Sequence, residues 1–399
     1  MSAPTLAATR DTTMHGGHPR PLRVVMVLKR SLGRGGLQQQ ARRVALRMRR
    51  GSIPVTLVTH TREPMPRPRP QDRALPTRWL RAPNQWAFAA ELFRWLYRHR
   101  AAYDVVHVHG FGLESFAALA ARAVTRKPVV IKPSTAGKGT KLDVYARLTR
   151  WLPFLPALVW RKVDAWVSIS EQTRGDLLRL GVPSSRIADI PNGVNTEVFR
   201  PADPERRAQL RAMLGAEPGD VVFCTAARLS PHKRVDLVVR AFLALLPRYP
   251  RARLWVLGHG EQYEELRALA AGSPGGERVT FMGHVKPWGV IRCLQAADVF
   301  VLVSLWEGLS NALLEAMACG LAPVVTDVSG MADVVRHEVT GVVVPPDDQL
   351  AVEEAFAALL DDPRRREALG AAAAEFVVRE YGLDTTVARL LALYREVQP

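Results

Sequence analysis

Ser-Leu-Trp-Glu-Gly-Leu-Ser-Asn-Ala-Leu-Leu-Glu-Ala-Met-Ala-Cys-Gly-Leu-Ala-Pro-Val-Val-Thr-Asp-Val, from Ser304 to Val328, is the stretch of this 399-residue chain that indicates its fold. An apolar run over 298–303 leads into it and predicts a buried strand. A helix is predicted over 312–319, Gly320 ends it, and a second strand follows over 323–326. Strand, loop, helix and strand in this order are typical of an α/β domain.

The stretch carries two carboxylates, Glu307 and Glu315, with seven residues between them. On one continuous helix, steps of ~1.5 Å would separate them by ~12 Å. The two carboxyl groups of a retaining glycosidase lie only about 5 Å apart, so that chemistry is disfavoured. We therefore expect Glu307 on the loop and Glu315 within the helix, whose N-terminal N–H groups are free to bind an anion between them. A sugar nucleotide, with hydroxyl groups at both ends and phosphates in the middle, fits this layout.

The ungapped run from Asp298 to Asp333 resembles the signature of the retaining glycosyltransferases of family 4. The resemblance implies an α/β protein of GT-B fold, in which two Rossmann-like domains face each other across a cleft. It also implies that Glu307 lies near the donor sugar and that Glu315 binds the ribose hydroxyls. The sugar and its phosphate would be held by Gly308, Leu309, Ser310 and Asn311.

Arg228 and Lys233 follow a predicted strand over 221–226, and both can reach one anion. Arginine offers a forked contact and lysine a point charge, which suits a diphosphate. In the resembling family, the matching residues neutralise the leaving diphosphate. The family commonly has glycine where this chain has Arg234, a departure that we expect on the helix surface. Gly258 and Gly260 would allow close approach of the nucleotide.

A glycine-containing loop follows the first predicted strand, and by resemblance its Gly35 and Gly36 face the donor phosphates. The dinucleotide fingerprint fails because its third glycine position is Gln38, so NAD binding is disfavoured. A strand over 104–109 ends in His109, which the resemblance places at the reaction centre.

Lys132 and Lys138 flank a Gly- and Ser-containing segment after a strand over 129–132. They are candidates for binding an anionic group of the acceptor. An ordinary surface loop without a ligand explains the same residues equally well.

The charge is unevenly distributed, because residues 1–200 contain 34 basic and 12 acidic residues, a net charge of +22, whereas residues 201–399 have a net charge of −5. Two basic segments, over 85–100 and 145–162, are rich in aromatic residues. Basic amphipathic segments with Trp suit an anionic membrane interface. A core helix with a solvated basic face, or an acidic acceptor, remains an alternative. Nucleic acid ranks last because no motif for it accompanies the charge.

Three scattered cysteines argue against a disulfide framework and a zinc site and suit a reducing compartment. Residues 1–20 lack the apolar region of a signal peptide, and no stretch approaches the ~20 apolar residues of a membrane span. A cytoplasmic location, peripheral on the inner face of the cytoplasmic membrane, is therefore expected. The chain contains no Asp-x-Asp sequence, the pair with which glycosyltransferases of GT-A type hold a divalent ion on the diphosphate. Its absence, together with Arg228, Lys233 and a helix N-terminus, predicts that the charge of the diphosphate is neutralised without a metal ion. The resemblance implies a nucleotide-sugar as co-substrate, and no cofactor is expected.

Four regions are predicted: a flexible tail over 1–20, an acceptor-binding domain over 21–197, a nucleotide-sugar-binding domain over 198–380, and a last helix over 381–399 that crosses back. Residues 61–81 are predicted to be a loop, and residues 350–398 to be helical throughout. Asn192 and Gly193 would supply the positive-φ positions of a tight turn.

The predicted function is that of a retaining, metal-independent hexosyltransferase. It would move a sugar from a nucleotide-sugar to a lipid-linked or anionic glycan acceptor, in glycolipid or surface-polysaccharide synthesis. The chain offers no convincing nucleophile, so the resemblance favours attack of the acceptor on the face that the diphosphate leaves. Two alternatives are a nucleotide-sugar epimerase or hydrolase of the same fold, and a catalytically weak scaffold protein at a membrane surface.

Overall fold

The computed structural model describes residues 21–29, 36–61, 74–133, 142–145 and 160–398. Within these ranges the chain forms two parallel sheets, of seven and six strands. The predictions for the tail over 1–20, for Gly35 and Lys138, and for most of the second basic aromatic segment lie outside the described residues.

The first sheet contains seven parallel strands in the order β3-β2-β1-β4-β5-β6-β7. Its strands and helices are β1 (Val24–Leu28), α1 (Gly36–Arg50), β2 (Val55–Thr61), β3 (Thr77–Arg81), α2 (Gln85–Arg98), β4 (Val105–His109), α3 (Leu113–Thr125), β5 (Val129–Lys132), β6 (Ala165–Ser168), α4 (Glu171–Arg179) and β7 (Ile187–Asp189). All residues of β1 and β4 are buried, as expected for parallel strands that helices cover on both faces.

The strand β3 shows that the prediction of a loop over 61–81 is wrong for its last part. Thr77 to Arg81 pair in parallel with Leu57 to Thr61 of β2. Leu80 is the one buried residue of this edge strand. The sequence therefore lacks the continuous apolar run by which central strands are recognised.

The second sheet contains six parallel strands in the order β10-β9-β8-β11-β12-β13. Its elements are α5 (Pro204–Met213), β8 (Val221–Ala226), α6 (Val235–Leu245), β9 (Ala252–Leu257), α7 (Tyr263–Ala271), β10 (Val279–Gly283), α8 (Pro287–Ala296), β11 (Val299–Leu302), α9 (Asn311–Ala318), β12 (Ala322–Thr326), β13 (Val342–Val344), α10 (Gln349–Asp361), α11 (Pro363–Tyr381) and α12 (Leu383–Glu396). The predicted helical tail over 350–398 is present as three helices, which Asp362 and Gly382 separate.

The strand order reverses at one point in each sheet, between β1 and β4 in the first and between β8 and β11 in the second. In open α/β sheets, ligands bind beyond the carboxyl ends of the strands at such a switch point. The ends of these four strands and the segments after them carry Gly36, His109, Arg228, Lys233 and Glu307, five of the candidate site residues.

The last helix, α12, packs against α1 on the first sheet, although it follows the second sheet in sequence. The backbone of Val194 hydrogen-bonds to both Tyr381 and Leu383 where the chain crosses between the halves. Gly193 does not have the positive φ that was predicted for it. It is required by close packing instead, since a Cβ there would lie 2.5 Å from Thr386 Oγ1.

Candidate active site

The loop after β8 presents two of the predicted cations, an exposed Arg228 and a half-buried Lys233 that ends a short 3-10 turn. Gly258 and Gly260 follow β9 and lie directly against this loop. A Cβ at Gly258 would lie 1.8 Å from the carbonyl oxygen of Ala227, and one at Gly260 would lie 2.0 Å from that of Leu229. These glycines therefore allow the close approach of the Arg228 loop backbone. Their predicted contact with the nucleotide stays a prediction.

Lys233 forms an ion pair with Glu307, which lies on the loop after β11. His232 precedes Lys233, and its ring stacks on that of Trp306, which precedes Glu307, with 5.1 Å between the ring centroids. The pKa of His232 lies below its usual value because of burial, and Lys233 and Arg228 lower it further while Glu307 acts in the opposite direction. The structure thus brings Arg228, Lys233 and Glu307 together around His232, a residue that the sequence did not single out.

The loop from Gly308 to Asn311 leads into α9, and the Ser310 hydroxyl caps that helix by accepting from Leu313 N at 3.3 Å. Gly330 supports this loop, because its Cβ would lie 1.8 Å from the Gly308 carbonyl oxygen. The Leu309 carbonyl oxygen accepts from Asn192 Nδ2 at 3.5 Å. Gly330 and Asn192, which contact this loop, lie outside residues 308–311 and were not predicted as site residues.

Asn311 connects this loop with the first half of the chain. Its Nδ2 donates to the carbonyl oxygen of Gly36, the first residue of α1, at 3.1 Å. A Cβ at Gly36 would lie 3.1 Å from the same nitrogen, so glycine suits this close approach. The N-terminus of α1 therefore faces the N-terminus of α9 across the two halves.

Glu315 lies one turn into α9 and is 8% exposed. Burial raises the pKa of its carboxyl group, and the nearby guanidinium of Arg43 acts in the opposite direction. Arg43 Nη1 lies 2.5 Å from Glu315 Oε1. The sequence did not reveal this partner, because it lies on α1 in the other half of the chain.

His109 and Lys132 end the adjacent strands β4 and β5, and they are 1% and 2% exposed. Burial, with the charge of Lys132, lowers the pKa of His109 to about 3. Burial lowers the pKa of Lys132 to about 7. Both side chains are therefore buried, and among the described residues no hydrogen bond or ion pair joins either of them to Glu307 or Lys233.

Arg234 adopts a left-handed backbone conformation, with φ of 48°, immediately before α6. Glycine occupies this region without strain, which explains its frequency in the family pattern. Arg234 was expected on the helix surface, and it occupies the N-cap position of α6 without a capping hydrogen bond from its side chain. Its side chain donates from Nε to Asp236 at 3.2 Å and forms an ion pair with Asp347.

In the part of the chain that the structure describes, no group of three or more His, Cys, Asp or Glu side chains is arranged to hold a metal ion. None of the helices described there combines the length and the apolar character that crossing a bilayer requires.

Two parallel α/β sheets whose switch points face each other define a GT-B fold. The crystal structure of Anabaena HepE in complex with UDP and glucose matches it with a TM-score of 0.78 at 16% identity, over 94% of this chain and 100% of that one. The predicted fold class is confirmed.

The family models "Glycosyltransferase Family 4" and "Glycosyl transferases group 1" match residues 34–198 and 206–376. A D-inositol 3-phosphate glycosyltransferase from Kribbella flavida is 30% identical over 316 residues, which are 75% of this chain and 72% of that protein. The chain belongs to glycosyltransferase family 4, as its sequence signature predicted.

A GDP-mannose-dependent monoacylated alpha-(1-6)-phosphatidylinositol monomannoside mannosyltransferase from Corynebacterium glutamicum is 34% identical over 208 residues. The aligned region is 50% of this chain and 54% of that protein, so the chain spans about half the length of this relative.

Proposed function

We propose that the protein is a retaining hexosyltransferase that transfers a sugar from a nucleotide-sugar to an acceptor hydroxyl without a metal ion. The observation that carries this proposal is the cluster of Arg228, Lys233 and Glu307 beside the N-terminus of α9. Two cations and free helix N–H groups suit a diphosphate, and the carboxylate next to them suits the hydroxyl groups of a sugar.

Each residue has a defined part in the proposed reaction. Arg228 and Lys233 stabilise the negative charge that develops on the diphosphate, which is electrostatic stabilisation of the transition state. The backbone of Gly308 to Asn311 and the Glu307 carboxylate hold the sugar and its phosphate, and Glu315 accepts hydrogen bonds from the ribose. His109 lines the reaction centre as a neutral hydrogen-bonding group, since its pKa of about 3 keeps it uncharged.

The proposed transfer occurs on one face of the sugar. The bond between the anomeric carbon and the diphosphate oxygen breaks, and the electron pair leaves with the diphosphate. The acceptor hydroxyl oxygen forms a bond to the same carbon on the same face. Its proton passes to the departing phosphate oxygen, so no protein nucleophile is needed.

GDP-mannose is the donor that we propose, because the relative from Corynebacterium glutamicum is named for its dependence on this compound. A lipid-linked or anionic glycan is the proposed acceptor, consistent with the phosphatidylinositol mannoside in the same name. Residues 21–197 would bind the acceptor, with Lys132 and Lys138 near its anionic group, and residues 198–380 would bind the donor. The two separate sheets support this division.

The test is thermal unfolding with GDP, UDP, ADP or dTDP, each with and without EDTA. A ligand at ~100 times its dissociation constant adds ~2.7 kcal/mol of stability. We expect GDP to raise Tm equally with and without EDTA, and labelled mannose from GDP-mannose to appear on a phosphatidylinositol mannoside acceptor. Free mannose as the main product would indicate a hydrolase. Stabilisation that EDTA abolishes would contradict the metal-independent mechanism.

A further inference from the structure

Arg43 connects the two halves of the chain at the predicted ribose site. It lies on α1, 272 positions from Glu315 in sequence, and the two side chains meet at 2.5 Å. The guanidinium also lies 5.4 Å from the ring centre of Phe199, in the segment between the sheets. Arg43 is 23% exposed and the Glu315 side chain 11%, so this contact is largely shielded from water.

A carboxylate in such a place is stable only with a partner, because removing a charge from water costs several kcal/mol. Arg43 is the charged group that acts on the pKa of Glu315. The strands β11 and β12, which pack against α9, carry no titratable side chain, and the charged residues of α11 do not contribute. Cys319, which follows the last residue of α9, is neutral, because burial and the charge of Glu315 raise its pKa to about 12.

The geometry leaves Glu315 free to bind a ligand while it is paired. An ionised carboxylate has about four acceptor positions on its two oxygens. Within the described residues, Arg43 is hydrogen-bonded to Oε1 alone. The remaining positions can accept two neighbouring hydroxyl groups.

We propose that Arg43 is a positioning residue for nucleotide binding, which holds Glu315 ionised and oriented so that the carboxylate accepts the two ribose hydroxyls. This role rests on the proposed function, because it assumes a nucleotide at Glu315. It also means that the ribose site is built from both halves of the chain, since α1 supplies the cation and α9 the carboxylate.

The test is titration calorimetry with GDP as the probe, using Arg43→Met, Arg43→Gln and Arg43→Lys at pH values from 6.5 to 9. Met places an uncharged, unbranched apolar side chain beside Phe199, and Gln is the second uncharged variant. Without Arg43, Glu315 should bind a proton near neutral pH and lose its charged hydrogen bonds. We expect about tenfold weaker binding than wild type at pH 6.5, with the ratio shrinking towards pH 9. Arg43→Lys should retain most of the affinity.

Proton release distinguishes this role from simple packing. GDP binding to Arg43→Met should release a proton from Glu315. The measured binding heat should therefore vary with the ionisation enthalpy of the buffer more strongly in Arg43→Met than in wild type. Arg47→Met is the matched control: it lies one turn later on α1 and pairs with Asp384 instead. Its GDP affinity should equal that of wild type at every pH.

Tighter or unchanged GDP binding by Arg43→Met and Arg43→Gln would overturn the proposal, since Arg43 would then compete with the ribose or be irrelevant to it. If the Arg43 variants bind GDP more weakly by the same factor at every pH, without extra proton release, Arg43 acts only through packing. That result would also overturn the proposal. If the wild type binds no nucleoside diphosphate, the proposed function fails as well, which separates that outcome from failure of the Arg43 role alone.

Discussion

Gly330 and Gly308 are in such close contact that a methyl group on Gly330 would lie 1.8 Å from the Gly308 carbonyl oxygen. Gly330 also has φ of +84°, where other residues are strained. The segment after β12 thus holds the loop that carries the proposed sugar and phosphate contacts.

Gly330→Ala should therefore displace the Gly308 loop and weaken GDP binding. The matched control is Gly215→Ala, because Gly215 has φ of +76° with no atom within 4 Å of a new Cβ. The control should lose about 1–2 kcal/mol of stability from backbone strain alone, with unchanged GDP affinity. Thermal unfolding and GDP titration of both variants check this, and equal behaviour of the two would contradict the supporting role of Gly330.

Glu315→Ala should weaken GDP binding by roughly 10- to 150-fold, because it removes charged hydrogen bonds worth ~1.5–3 kcal/mol. Calorimetric titration measures this directly. Glu354→Ala is the control, since Glu354 is an exposed glutamate on α10. Wild-type affinity in Glu315→Ala would remove Glu315 from the site.

The buried histidines of β4 should make stability depend on pH below neutrality. His109 in the folded protein has a pKa of about 3, lowered first by burial and then by Lys132, and burial lowers that of His107 as well. In the unfolded chain, a histidine binds a proton below about pH 6.5. The unfolded state therefore binds more protons between about pH 6.5 and 3, and the free energy of unfolding falls as the pH falls through that window.

His109→Gln should accordingly show a smaller loss of stability than wild type when the pH is lowered from 6.5 to 5, by about 1–2 kcal/mol. Urea unfolding at both pH values measures the difference. His337→Gln is the control, because the His337 side chain is 58% exposed. Equal pH dependence in His109→Gln and wild type would show that His109 is not held neutral in the folded protein.

The outer face of α2 is the surface that we propose for contact with an anionic membrane. Phe88, Leu92 and Leu96 are buried, whereas Trp86 is 70% exposed and Arg94 lies two turns later on the same face. Trp86→Ala with Arg94→Ala should reduce binding to phosphatidylglycerol vesicles, since each basic residue contributes ~1 kcal/mol near such a surface.

Vesicle sedimentation measures this binding, and raised salt should weaken it. Trp288→Ala with Arg292→Ala is the matched control, because Trp288 is 56% exposed and stacks against Arg292 in the second half of the chain. Equal loss in both double variants, or binding to phosphatidylcholine alone, would contradict a specific role for α2.

The central strands could be predicted from sequence because burial on both faces gives them continuous apolar runs, as in β1 and β11. The edge strand β3 escaped prediction because its burial comes from one residue, Leu80. Local motifs indicated Lys233, Glu307 and Glu315 as site residues. The roles of these side chains stay predictions until they are tested.

Contacts between distant segments could not be predicted from one sequence. Arg43 contacts Glu315, and Asn192 contacts Leu309, because the two halves of the chain pack together. The spacing of residues in the sequence does not indicate these pairs. The glycines show the same limit: Gly258 and Gly260 were recognised as sites of close approach, but their contact with the backbone of the Arg228 loop was not foreseen.

The position of α12 has a consequence for synthesis on the ribosome. Leu390 and Tyr394 of this helix are fully buried against the first sheet, together with Leu383, Val387 and Leu393. Domains usually fold in the order in which they are translated. Here the first sheet is synthesised before α12, and one of its faces stays partly exposed until α12 has left the exit tunnel. The core of the first half can therefore be completed only after the second half has been synthesised.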